Sequence, residues 1–116
     1  MAQFKIYGHA PFIRAQASAI SDAIHHAATD ALGLPTEKRF HRFFPLDDGC
    51  FVTPPDRSAH YIIIECVMFE GRSIATKKAL YERLLEELER SPGISAQDVE
   101  MTIVETPRHD WLIRGR

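Results

Sequence analysis

Among the charged residues of this chain, Arg72 has the surroundings best suited to holding an anion. It lies in Glu70-Gly71-Arg72-Ser73, where Ser73 has the character of a helix N-cap and Lys77-Lys78 follow inside the helix. A cation beside a helix N-terminus is mildly disfavoured by the helix dipole. An anion bound there gains from the guanidinium and from the free backbone N–H groups together. A carboxylate is therefore the expected ligand, with a surface ion pair to Glu70 as the plainer alternative. Other reactive residue types are less telling. His25 and His26 are adjacent and face different directions on a helix, unlike an i,i+4 metal pair. Asp22, His26 and Asp30 share one helix face, as a solvated charged face does. Lys5 and His9 lie near the ends of the first strand, within reach of a pocket there. Cys50 has no recognisable base partner. No metal, nucleotide or flavin motif is present, so neither a metal nor a cofactor is expected.

The elements that must position Arg72 follow from hydrophobic periodicity. Gln3-Phe4-Lys5-Ile6-Tyr7 alternates as a half-buried strand, and Gly8 to Pro11 breaks it. Ile13, Ala17, Ile20, Ile24, Ala27 and Ala31 then lay one apolar stripe along a helix. Gly33 caps that helix and Pro35 prevents its continuation. A second strand is expected over Arg39 to Phe44, followed by a turn-rich loop over about 46–58. Tyr61 to Met68 is apolar almost throughout, as a strand covered on both faces would be. The second helix buries Leu80, Leu84, Leu85 and Leu88, places Glu86 and Arg90 as an i,i+4 pair, and stops at Pro92-Gly93. Val99 to Ile103 alternates as the last strand.

The two halves, about 1–46 and 59–116, repeat at an offset of about 60 residues. Gly33 matches Gly93, Ile20 matches Leu80, Ile24 matches Leu84, and Leu34 matches Ile94. Each half is strand, crossover helix, parallel strand. The expected fold is thus α/β (α+β): a single domain over 1–116, a tandem β-α-β repeat forming one four-stranded mixed sheet with two helices on one face. The repeat also acts as an internal control. Arg72 corresponds to Phe12, so starting a helix there does not require the charge.

A net charge of −2 gives no general attraction to nucleic acid or anionic membrane. The same element order occurs in RNA-recognition domains, but Tyr61 to Met68 carries neither their basic residues nor their aromatics, beyond Tyr61 at its edge. Without a basic-then-apolar start, a membrane-length apolar run or CxxC spacing for Cys50 and Cys66, a reduced cytoplasmic protein is expected.

Glu70-Gly71-Arg72-Ser73, Lys77-Lys78, Leu80-Tyr81, Pro92-Gly93-Ile94-Ser95, Asp98-Val99, Val104-Glu105-Thr106-Pro107, Asp110-Trp111 and Gly115-Arg116 occur in that order. Together they resemble the tautomerase superfamily, specifically its longer members related to malonate semialdehyde decarboxylase and cis-3-chloroacrylic acid dehalogenase. The resemblance covers nearly the whole chain. It implies a homotrimer, small oxo-acid substrates and a substrate carboxylate held by Arg72. It also implies a catalytic proline exposed as the amino terminus, and here that position holds Ala2. Removal of Met1 would leave Ala2 with a primary α-amine, which still permits base or imine chemistry.

Other family positions also differ. Lys38 stands where decarboxylase-like members carry an acidic residue before an arginine, here Arg39, with Glu37 one position away. Ala28 falls near the place of the dehalogenase-type histidine. Phe69 and Glu70 precede Arg72, so no paired-arginine clamp is evident. Trp111 lies where the family builds an apolar pocket wall, or else anchors an interface. Arg114 and Arg116 add positive potential at the pocket or belong to a frayed tail. The expectation is a proton-transfer site for a small carboxylate-containing molecule, made by Ala2 and Arg72 with Lys38, Arg39 and Trp111 binding substrate. The alternative is a trimeric small-acid-binding or structural protein without turnover.

Overall fold

The computed structural model describes residues 1–115, so Arg116 lies outside the described residues. Strand β1 (Ala2–His9) alternates as its sequence requires, burying Ala2, Phe4 and Ile6 and turning Gln3, Lys5 and Tyr7 to the other face. It runs into helix α1 (Ala10–Leu32) with no intervening loop. The expected break from Gly8 to Pro11 is therefore absent: Gly8 and His9 extend the strand, and Pro11 sits in the first turn of α1. Proline suits that turn because its missing N–H would have no helical partner there. Ile13, Ile20, Ile24 and Ala27 of α1 are buried, while Ala17 and Ala31 are half-buried. Gly33 closes the helix in the left-handed conformation (φ 67°), its N–H bonded to the Thr29 carbonyl at 3.1 Å.

Strand β2 (His41–Leu46) starts two residues later than expected and includes Pro45. It is an edge strand, where a residue without a donor is tolerated. Strand β3 (Ile62–Phe69), helix α2 (Ile74–Arg90) and strand β4 (Val99–Thr106) form the second half. Ser73 caps α2, accepting the Thr76 N–H at 3.1 Å. The strand order is β2-β1-β3-β4, parallel within each half and antiparallel where β1 meets β3.

Both helices cover one face of the sheet, and Ile62, Ile64, Cys66 and Met68 join Leu80, Leu84 and Leu88 in that core. Each such large aliphatic side chain contributes roughly 1.5–3 kcal/mol on burial. The opposite face stays open, so the expectation that β3 is covered on both sides is corrected: Ile63, Glu65, Val67 and Phe69 are half-exposed. The expected Glu86–Arg90 pair is also replaced. Glu86 bonds Arg83 at 2.9 Å, and Arg90 turns to Glu87 at 3.1 Å. Glu87 is the buried carboxylate of α2, and burial demands the partners that Arg83 and Arg90 supply. Among the described residues, no helix is long and apolar enough to cross a membrane.

Gly8 is where α1 approaches the sheet most tightly. A Cβ there would lie 2.8 Å from Ile13 Cδ1, 2.9 Å from Ile13 Cγ1 and 3.3 Å from Ile62 Cγ2. Gly8→Ala should lower stability by about 1–3 kcal/mol, read as a lower urea midpoint at unchanged slope. An unchanged midpoint would mean that the first turn of α1 yields freely.

Candidate active site

Antiparallel pairing puts Ala2 opposite Met68, and parallel pairing puts Phe69 beside Thr106. The amino terminus, the end of β3, the start of α2 and the segment after β4 therefore converge. Two cavities of about 400 Å³ each lie there. Met1, Phe69, Glu70, Gly71, Arg72 and Arg108 line one. Lys38, Phe69, Arg108, Trp111, Ile113 and Arg114 line the other. Phe69 and Arg108 form the wall they share: the guanidinium lies 4.5 Å from the ring centroid of Phe69, which meets Trp111 at 5.0 Å.

Cations outnumber carboxylates at this end, where Glu70 is the carboxylate that lines a cavity. Among the described residues Lys38, Arg72 and Arg108 make no ion pair, so Arg72 is not tied to Glu70. Its Nη1 donates to the Met68 sulfur at 3.9 Å. Partial burial, and then the charges of Arg72, Arg108 and Lys38, hold the Met1 α-amine below its ordinary value near 8.0. Cys66 lies beneath, its thiol pushed up to about 12 by burial despite Arg72 and the amine. It stays protonated at neutral pH.

Of the expected site residues, Arg72, Lys38 and Trp111 are brought together. Ala2 is 3% exposed within β1, and the amine at the cavity belongs to Met1. Arg39 turns away from Lys38 to bond Asp22 at 2.7 Å, with Ser21 Oγ at 3.5 Å. That Ser21 hydroxyl also meets His41 Nδ1 at 2.7 Å, in a cluster bordering neither cavity. Arg114 lines the second cavity, and His9 lies at the other end of β1.

Two contributors escaped the sequence reading. Phe69 counted only as the absence of a paired arginine, yet it organises the wall. Arg108 supplies the second guanidinium from the turn after the neighbouring strand β4, distant from Arg72 in sequence. The repeat held a signal for it: at the offset that pairs Arg72 with Phe12, Arg108 falls on Asp48 and Lys38 on Asp98. Lys38, Arg72 and Arg108 all lack a cationic twin. The arrangement can seat a carboxylate on guanidinium groups, rest a carbon skeleton on Phe69 and Trp111, and present a partly neutral amine to it.

The pH dependence of α-amine labelling by an acylating reagent, followed by peptide mass, should report a pKa below 8.0. Arg72→Gln removes a charge that disfavours the ammonium, so the pKa should rise. An unchanged pKa in that variant would show that Arg72 does not act on the amine.

A family model described as a tautomerase enzyme matches residues 38–114. A malonate semialdehyde decarboxylase, solved in wild-type, mutant and inactivated forms, is 30% identical; the match covers 98% of this chain and 92% of that one, with a TM-score of 0.88. The FG41 malonate semialdehyde decarboxylase inhibited by 3-bromopropiolate is 29% identical over 94% of this chain and 86% of that one, with a TM-score of 0.84. A fused 4-OT solved as an asymmetric trimer is 21% identical over 98% and 94%, with a TM-score of 0.85, a likeness of fold. The tandem β-α-β sheet and these matches together make this chain a member of the tautomerase superfamily.

Proposed function

We propose that this protein moves a proton on a small oxo or enol acid, with the substrate carboxylate on Arg72 and the N-terminal amine as the base. The supporting observation is the amine's position near Arg72, Arg108 and Lys38, which make no ion pair among the described residues. In the enol-to-keto direction, the neutral amine takes the enol hydroxyl proton, and the ammonium returns a proton to the adjacent carbon. The proton count is unchanged. Arg108, beside Arg72, stabilises the enolate charge between the two steps. Lys38 adds to that field, and Trp111 with Phe69 receives the carbon skeleton. Met1 carries the amine when retained. Its removal moves the amine back by one residue, about 3.8 Å between α-carbons, to Ala2.

The same reading includes a homotrimer in a reduced cytoplasmic setting. Support for the trimer comes from the fused 4-OT neighbours solved as trimers and from the open sheet face, where Tyr7 stacks on Phe44 at 4.7 Å. Cys50 and Cys66 are both free, which suits a reducing compartment.

The likeness to two malonate semialdehyde decarboxylases favours a second reading, loss of a carboxylate from a 3-oxo acid at this site. That reaction would use the ammonium to polarise the carbonyl, so its rate would fall as pH rises through the amine pKa. Proton abstraction by the neutral amine gives the opposite limb. With phenylenolpyruvate the rate should rise with pH through a pKa below 8.0. Arg72→Gln should lower kcat/KM by about 100-fold, the loss of a charge-assisted contact of roughly 3 kcal/mol. No rate above buffer, or an Arg72→Gln enzyme as fast as the parent, would sink the proposal.

A further inference from the structure

Arg72 stands at the head of a helix whose first turns have little hold on the core. Every residue from Glu70 to Ala79 is exposed or half-buried, and the buried face of α2 begins only at Leu80. Ile74, the first residue of the helix, is 72% exposed. The other half of the repeat is built differently. Helix α1 buries Ala10 and Ile13 at its start, and by the offset of the repeat these correspond to Glu70 and Ser73. Apolar packing seats the head of α1, whereas polar residues occupy the matching places in α2.

Two polar contacts join the Arg72 segment to the end of β4. The Glu70 N–H donates to the Thr106 carbonyl at 3.1 Å, and Lys77 Nζ meets Glu105 Oε1 at 2.8 Å. The Lys77 and Glu105 side chains are 21% and 33% exposed, so water and salt screen this pair less than a fully exposed one. Its place in the sheet is informative. Val99, Met101 and Ile103 pack against the core from β4, and the period of two makes Glu105 the next position in that row. A carboxylate stands where an apolar residue would continue the core, and α2 brings a lysine to it. Neither has a charged twin: Lys77 corresponds to Ala17 and Glu105 to Pro45. Arg72 lies between the two contacts on the α2 side, and Arg108 follows just after Thr106 on the β4 side.

We propose that Lys77 and Glu105 are positioning residues, whose ion pair holds the head of α2 against β4 and so fixes Arg72 relative to Arg108 and the terminal amine. The kinetic consequence rests on the proposed function; the geometric one does not. The amine gives a readout whose sign separates positioning from charge. Glu105→Gln removes a negative charge and leaves Lys77 unpaired. By electrostatics alone both changes disfavour the ammonium, and the amine pKa would fall. Release of the α2 head lets the Arg72 guanidinium move off into water, and the pKa should instead rise toward its ordinary value near 8.0.

The experiment is α-amine labelling against pH in the parent, in Glu105→Gln, and in the exchanged pair Lys77→Glu with Glu105→Lys. The expected result is a rise in Glu105→Gln that the exchanged pair reverses. With phenylenolpyruvate, Glu105→Gln should raise KM about tenfold with little change in kcat, because Arg72 holds the carboxylate in the ground and transition states alike. The exchanged pair should restore KM as well. An amine pKa that falls or stays unchanged in Glu105→Gln, or that the exchanged pair does not restore, would overturn the proposal. So would an unchanged KM in an active Glu105→Gln enzyme. Labelling requires no turnover, so an inactive parent would end the proton-transfer reading while the pKa still decides this one.

Discussion

The antiparallel pairing of β1 with β3 is the constraint from which the rest follows. It joins two parallel β-α-β units at the centre of one sheet and fixes Ala2 opposite Met68. The chain's first amine is thereby carried to the end where β3 and β4 finish and α2 begins. Arg72 arrives from the turn before α2 and Arg108 from the turn after β4, so no local motif could have assembled the two. Positive charges gathered around an amine repel its protonated form. That repulsion, added to burial, holds the amine below its ordinary value near 8.0. An acid bound there relieves the same repulsion, so ligand binding and amine basicity are coupled through one field.

The two ends of the sheet show what the repeat preserves and what it releases. Core positions match across the halves, Ile20 with Leu80 and Ile24 with Leu84, and all are buried. Polar positions do not match. Arg72, Arg108 and Lys38 face Phe12, Asp48 and Asp98 across the repeat, and Asp98 is bonded to the Ser58 N–H at 2.8 Å. One end keeps unpaired cations around an amine. The other uses its carboxylates to fasten a loop and leaves Arg57 with a buried donor unspent.

Much of this architecture was legible in the sequence because strand alternation and the helical stripe are local signals. Phe4 and Ile6 alternate as read, and Gly33 and Ser73 cap the helices as their types suggest. What escaped depends on tertiary placement. Pro11 reads as a break but opens a helix, since a first turn lacks the bond that proline forfeits elsewhere. Pro45 reads as a strand's end but lies within an edge strand. Glu87 carries no sequence signal of burial, yet the seam between α1 and α2 buries it. Lys38 and Arg39 are neighbours in sequence, yet one lines the site and the other pairs with Asp22, a choice that periodicity does not encode. Arg108 was recoverable, because the comparison that singled out Arg72 also leaves Arg108 without a twin.

The claim on which the account rests is that the terminal amine, rather than a water or a side chain, moves the proton. Carbamylation with cyanate near neutral pH favours the α-amine over lysine, because the amine with the lower pKa is more often neutral. Intact mass would show one adduct, and peptide mass would place it on the α-amine with Lys38 unmodified. Turnover of an enol acid by that protein should fall by about 100-fold or more, the usual share of a general base, with binding of the keto acid retained. A carbamylated protein with undiminished turnover would contradict the account.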